Sequence, residues 1–213
     1  MADTEERGPT SRAAQRRAAM LAAAQEAFLR DGYLGTNMDE IATASKVSKQ
    51  TVYKHFGSKE ALFVEIVTSM TVRAGDGVHD VSPDVQDAER ITDYLRDYAF
   101  RQLTAVLTPQ VVQVRRLVIG EAGRFPELAK ALYDHGPQRA LDSMTDVFAK
   151  LSAGGLLHVD DPRLAAEQFN WLIMSGPVNR AMLLGDDAIP TRAELRRHAE
   201  NTARLIVAAY RPV

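Results

Sequence analysis

The sequence predicts an all-α protein of about nine to ten helices. An N-terminal three-helix unit containing a helix-turn-helix is followed by a larger C-terminal helical domain. Three observations carry the fold class. Apolar residues recur at helical spacing, and alternating β-branched runs are scarce. Prolines also punctuate the chain unevenly. None falls between Thr10 and Ser82, and they then recur at Pro83, Pro109, Pro126, Pro137, Pro162, Pro177 and Pro190, mostly where a helix would begin.

The first helix is expected from about Ser11 to Arg30, with Leu21, Ala24 and Phe28 on one face and a stop at Asp31-Gly32. A short second helix follows Thr36, with Asn37 as its N-cap, Glu40 completing a capping-box-like pattern, Ile41 in the core and an end near Ser45. Ser48 caps a third helix of about two turns, in which Val52 and Phe56 share one face. Lys49, Gln50, Tyr53 and Lys54 fan across the other face. Gly57 ends that helix, and Ser58 caps a fourth that carries Leu62, Ile66 and Met70 and runs to about Arg73. These elements form the first domain, residues 11–73. After a polar linker from Ala74 to Pro83, the second domain, residues 84–211, opens with a long helix from Val85 to Thr108. Further helices are expected at Gln110–Gly120, at Glu127–Asp134 behind Pro126, and at Gln138–Ser152 behind Pro137. The next runs from Pro162, capped by Asp161, towards Leu184, with Pro177 expected to kink or break it. Thr191 and Glu194 form a capping box for the last helix, which ends near Tyr210.

The 213 residues contain no cysteine, which excludes disulfides and cysteine metal sites, and the net charge is only −2. The first residues lack the apolar core of a secretion signal. No apolar run approaches the ~20 residues of a spanning helix. A cytoplasmic location without membrane attachment is expected. Net charge alone does not suggest nucleic acid, but its distribution does. Arg7, Arg12, Arg16 and Arg17 lie in an acid-free stretch up to Gln25. Lys46, Lys49, Lys54 and Lys59 lie in another, Ser45 to Lys59. Such a basic, amide-bearing and aromatic helix face suits phosphates and base edges.

From Thr36 to Leu62 the chain reads T-N-M-D-E-I-A-T-A-S-K-V-S-K-Q-T-V-Y-K-H-F-G-S-K-E-A-L. This resembles the DNA-binding motif of TetR/AcrR-type transcriptional regulators. Ile41-Ala42, Ala44, Val47-Ser48, Tyr53, His55-Phe56, Lys59 and Leu62 match that pattern in register. One position departs from it: Lys46 stands where the family has a turn glycine, so a left-handed lysine or an altered turn is expected. The resemblance is strong from about Ser11 to Met70. Further on, Gly155-Leu156 and Asp161-Pro162-x-x-Ala165-Ala166-x-x-Phe169 look like one branch of the family's regulatory domains.

The resemblance implies that Thr36, Tyr53, His55 and Lys59 hold phosphates while Lys49, Gln50 and Thr51 face bases of a double-stranded operator. The chemistry agrees for most of them: lysine reaches guanine, glutamine pairs with adenine, and the free amides behind Ser48 favour phosphate. Asn37 and Lys54 complete the candidate DNA-binding set. Arg12, Arg16 and Arg17 either touch the flanking backbone or are merely solvated. One two-turn helix reads few bases, so a homodimer is expected, with half-sites about 34 Å or a multiple apart. The last two helices are the expected interface, with Leu164, Leu172 and Ser175 on one and Leu195, Thr202, Ile206 and Ala209 on the other. The resemblance also implies a pocket for a small, apolar effector. Its candidate lining is Phe100, Leu103, Met144, Phe148, Trp171 and Met174, with Asn170 or Tyr94 as a polar handle.

Together these features imply a ligand-released repressor that needs no cofactor or metal. The alternatives are a helical interaction module that does not touch DNA and, more remotely, an enzyme. The five histidines show no H-E-x-x-H spacing, and neither a G-x-S-x-G elbow nor a phosphate-cradling glycine loop is present.

Overall fold

The structure is a computed structural model that describes residues 12–78 and 88–212. The expected helix start at Ser11, the second half of the linker up to Pro83 and the expected start at Val85 lie outside the described residues. The helices are α1 (Arg12–Gly35), α2 (Met38–Ala44), α3 (Lys49–Phe56), α4 (Lys59–Gly75) and α5 (Ala88–Val106). They continue as α6 (Pro109–Glu121), α7 (Pro126–Tyr133), α8 (Arg139–Ala153), α9 (Pro162–Leu184) and α10 (Arg192–Ala209). The described residues contain no strand. The chain divides into two compact units between Ile66 and Val67, within α4.

In the first unit, α1 buries Met20, Ala24, Ala27 and Phe28, a stripe at helical spacing. Leu21, expected on that stripe, is only half-buried. Gly32 (φ 72°, ψ 178°) breaks the helical path near the C-terminal end of α1, as the Asp31-Gly32 pair predicted. The Phe28 ring stacks on Phe63 of α4 with centroids 4.5 Å apart, and Tyr33 lies 5.3 Å from Phe63. Burying side chains of this size stabilises by about 1.5–3 kcal/mol each. Ile41, Val52 and Leu62 are fully enclosed in the same unit. Asn37 caps α2 as expected, but its side chain accepts from the Asp39 amide, so Glu40 does not complete a capping box.

In the second unit, three proline-led helices begin as predicted. Thr108 caps α6 with Pro109 in its first turn, Pro126 opens α7, and Asp161 accepts from the amides of Arg163 and Leu164 ahead of α9. Two prolines behave differently. Pro137 does not begin a separate helix: it lies inside a π-turn, Asp134–Gln138, that joins α7 to α8. The wider turn accommodates a residue without an N–H. Pro177 is buried and α9 continues through it to Leu184. Arg116 secures the end of α9: its guanidinium donates to the Ala181 and Met182 carbonyls and pairs with Asp186 at 3.0 Å. Cationic charge is favourable at a helix C-terminus.

The core of this unit centres on Tyr98, Phe148 and Phe169. Phe148 meets Phe169 edge-on at 5.9 Å. The Thr191–Glu194 capping box is present. From it α10 runs with Leu195, Ala199, Thr202, Ala203 and Ile206 buried. This corrects the expected interface. Leu195, Thr202 and Ile206 belong to the unit's own core, because α10 packs along α5 as well as α9. The outward surface is instead apolar through Leu164, Trp171, Leu172, Leu183 and Leu184 of α9 and Leu205 of α10, with Ser175 and Ala209 also exposed.

Candidate nucleic-acid interface and ligand cavity

The α2–α3 turn is held by short local bonds. The Ser45 hydroxyl donates to the Ile41 carbonyl at 2.6 Å, the Lys46 amide to Thr43 at 3.1 Å and the Val47 amide to Ala42 at 3.0 Å. Closing this turn puts Lys46 at φ 57°, the left-handed one of the two alternatives expected for it. A residue with a Cβ carries a cost of roughly 1–2 kcal/mol there.

From this turn α3 emerges with one face inward and one outward. Val52 and Phe56 are buried, while Lys49, Gln50, Tyr53, Lys54 and His55 are exposed. Ser48 is committed to capping: its hydroxyl accepts from the Thr51 amide and lies 2.8 Å from the Thr51 hydroxyl. Thr51 is half-buried and shares that contact with Ser48. The first turn of α3 contains no acid, so its amide ends and three cationic or polar side chains present an electropositive surface. Lys49 has a partner, however. Its ammonium lies 3.0 Å from the Asp39 carboxylate on α2. That hydrogen bond, and then the Asp39 charge, raise the lysine above its usual pKa.

Two of the expected phosphate contacts have partners within the unit. Thr36 is buried and donates its hydroxyl to the Gly32 carbonyl at 2.7 Å. Enclosed in this way, the Thr36 hydroxyl pins the turn ahead of α2. The Lys59 ammonium donates to the Leu34 carbonyl at 3.3 Å and sits 4.9 Å above the Tyr33 ring, so it is half-buried at the end of α1. Asn37, next to Thr36 in the chain, is exposed, with its side-chain oxygen taken by the cap. Of the three N-terminal arginines, Arg17 is structural: it pairs with Glu65 at 2.5 Å and covers the Phe56 ring at 5.3 Å. Arg12 and Arg16 are exposed.

The second unit encloses a cavity of about 660 Å³, within the range of small-molecule sites. Its wall includes Asn170, Trp171 and Met174 from the expected set. Leu103, Met144 and Phe148 do not line it; they are fully buried core, because their faces of α5 and α8 turn into the aromatic centre. Phe100 is not in the wall either, and lies under the guanidinium groups of Arg192 and Arg196 at 5.2 and 4.7 Å. Tyr94 packs against the core, where burial raises its pKa. Sequence reading missed Gln102, Arg115, His135 and Glu167, all of which line the cavity. One signal was available: Arg115-Arg116 is the only charged pair in the stretch from Val111 to Ile119, which is apolar apart from Gln113. The C-terminal part of α4 contributes Thr71, Ala74 and Gly75 to the same wall.

The comparisons with known proteins agree with both units. Residues 20–66 match the family model of bacterial regulatory proteins of the tetR family. Residues 93–212 match the C-terminal domain of AefR-like transcriptional repressors. The chain belongs to the tetR family. A tetR-family transcriptional regulator from Mesorhizobium loti is 37% identical, superposes with a TM-score of 0.85, and is covered over 99% of its length by 94% of this chain. The flavonoid-responsive regulator FrrA is 29% identical with a TM-score of 0.76, over 93% of this chain and 98% of its own. The transcriptional activator FasR of Mycolicibacterium smegmatis is 43% identical over 53 residues, 25% of this chain. The match spans only 24% of FasR's length. No helix among the described residues of this tetR-family protein is long and apolar enough to cross a membrane.

Proposed function

We propose that this tetR-family protein is a dimeric, sequence-specific repressor that leaves its operator when a small molecule fills the cavity of its second unit. The observation that carries this reading is α3: a capped two-turn helix with Val52 and Phe56 anchored inside and an acid-free outer face. Gln50 and Lys49 read base edges, and Tyr53, Lys54 and His55 hold the backbone, with the α3 amides behind Ser48 adding to the anion field. The protein works in the cytoplasm on double-stranded DNA. Two copies join through the exposed apolar face of α9 with the adjoining face of α10, which places two recognition helices on one duplex.

The effector reading rests on the cavity and on α4. This helix begins in the helix-turn-helix unit and ends in the cavity wall. A ligand that binds one position of α4 better than another shifts the population of DNA-competent dimers. A coupling of about 1–3 kcal/mol is typical of such systems. FrrA is named for its response to flavonoids, and an aromatic effector of that general size suits a cavity of about 660 Å³. Control by activation is the second reading, favoured by the name of FasR, whose similarity covers the DNA-reading part alone.

The test is selection of DNA from random sequence with the full chain, followed by titration at increasing salt. The expected product is an inverted repeat whose affinity falls steeply with salt as counterions are released. No binding at low salt would leave the interaction module as the better reading.

A further inference from the structure

The wall of the cavity holds a cation with no counter-charge among the described residues. Arg115 lines the cavity from α6, is only partly exposed, and makes no hydrogen bond or ion pair among the described residues. Glu167, the one acid in the wall among the described residues, is already engaged: Arg163 donates to its carboxylate at 3.1 Å. Burial lowers the pKa of Arg115 below the ordinary arginine value, the direction expected of a charge that gives up water without gaining a counter-charge. A second polar group is also incomplete. Gln102 is 4% exposed and lines the cavity. It donates its amide to Asn170 at 3.1 Å, and its own oxygen accepts no bond among the described residues. Buried polar groups normally have partners, and a desolvated unpaired guanidinium is costlier than a neutral one. The rest of the wall is largely apolar, with Val106, Val111, Leu141, Met174 and Val178.

We infer that the effector is an amphipathic anion: an apolar body seated on these residues, a carboxylate or similar anionic group on the Arg115 guanidinium, and a hydrogen-bond donor on the Gln102 oxygen. The planar fork of arginine suits two oxygens of one anionic group. This inference rests on the effector reading of the cavity and names its chemical class. A neutral apolar ligand of the same shape would fill the space and leave the cation unmatched.

The chain supplies its own probe, because its single tryptophan is Trp171 and lines the cavity. Two dyes of nearly equal shape differ in charge: 8-anilinonaphthalene-1-sulfonate and the uncharged N-phenyl-1-naphthylamine. Binding of each is followed by energy transfer from Trp171 in the intact protein. In Arg115→Gln the sulfonate dye is expected to bind about tenfold more weakly, the scale of a charge-assisted hydrogen bond. The neutral dye should stay within about twofold, which also shows that the variant is folded. Arg115→Lys should restore part of the difference. The inference is overturned if Arg115→Gln weakens both dyes alike or leaves the ratio of the two unchanged, and in either case the cavity remains a binding site. If neither dye draws energy from Trp171 in the wild type, the effector reading of the cavity falls, and this inference with it.

Discussion

The Nε2 of His198 lies 3.0 Å from the carbonyl oxygen of Ile173 and 3.1 Å from that of Leu172. Ile173 is four residues before Pro177, and proline has no N–H to return to that carbonyl. A ring nitrogen facing two carbonyl oxygens must carry the proton, so His198 on α10 donates to the acceptor that Pro177 leaves open. This is how α9 continues through an internal proline. His198→Leu is expected to cost about 1 kcal/mol, the scale of losing one partner of a part-buried acceptor. In the background of Pro177→Ala, which restores the N–H, the same change should cost far less. Thermal melts of the four proteins form a double-mutant cycle; additive effects would remove the proposed link.

The Lys49–Asp39 pair sets a second expectation. DNA must compete with Asp39 for Lys49, since the two lie 3.0 Å apart in the free protein. Asp39→Asn should therefore tighten binding to operator and to random duplex alike, by about two- to fivefold at low salt, because exposed pairs are weak and screened. Gln50→Ala should behave oppositely, losing about 1–3 kcal/mol on the operator and little on random DNA. Fluorescence anisotropy on both duplexes separates the two behaviours. An Asp39→Asn protein that binds no better would show that the pair opens freely.

Lys46 is strained by its position, with φ 57°. Lys46→Gly should raise the melting temperature by roughly 2–4 °C, on the order of 1 kcal/mol for a chain of this size. Lys46→Val should lower it, since a β-branched residue fits the left-handed region poorly. A Gly variant less stable than wild type would mean that the lysine side chain supports the turn in another way.

The outer and inner faces of the last two helices predict opposite failures. Leu172 is exposed on α9 and Leu195 is buried on α10. Leu172→Glu should leave a folded monomer in sedimentation, with unchanged helical content. Leu195→Glu should lose stability outright, because it buries a charge. A Leu172→Glu protein that stays dimeric would move the interface elsewhere.

The capping box at the start of α10 makes part of the stability pH-dependent. Bonds from the Thr191 amide and then its hydroxyl hold the Glu194 carboxyl below its ordinary value of 4.5. The folded state thus favours the ionised form, and the contribution is complete above about pH 4.5. It is lost as the pH falls through the lowered folded value. The stability gap between wild type and Glu194→Gln should be constant near neutrality and close on acidification below that point. A gap independent of pH down to 3 would rule out the carboxylate as its source.

Local determinants were readable without a structure. Asn37, Ser48, Asp161 and Thr191 were recognisable as caps because each acts on amides two or three residues away. The recognition helix could be divided into an anchored and an exposed face because Val52 and Phe56 repeat at four residues. Lys46 stood out because the resembled family has a turn glycine there; that the turn keeps a positive φ came only with the structure. Matters of partnership were not readable. Whether Leu195, Thr202 and Ile206 face a neighbouring chain or their own core depends on α5, roughly a hundred residues earlier. The division of apolar residues between solid core and cavity wall, which separates Phe148 from Met174, depends on how several helices close around one space. The same holds for Arg115: its position in an apolar helix is visible in the chain, but its lack of a counter-charge is a property of the assembled fold. Short-range sterics and hydrogen bonds write helices and turns into neighbouring residues. Burial and charge pairing are sums over groups that only the tertiary structure brings together.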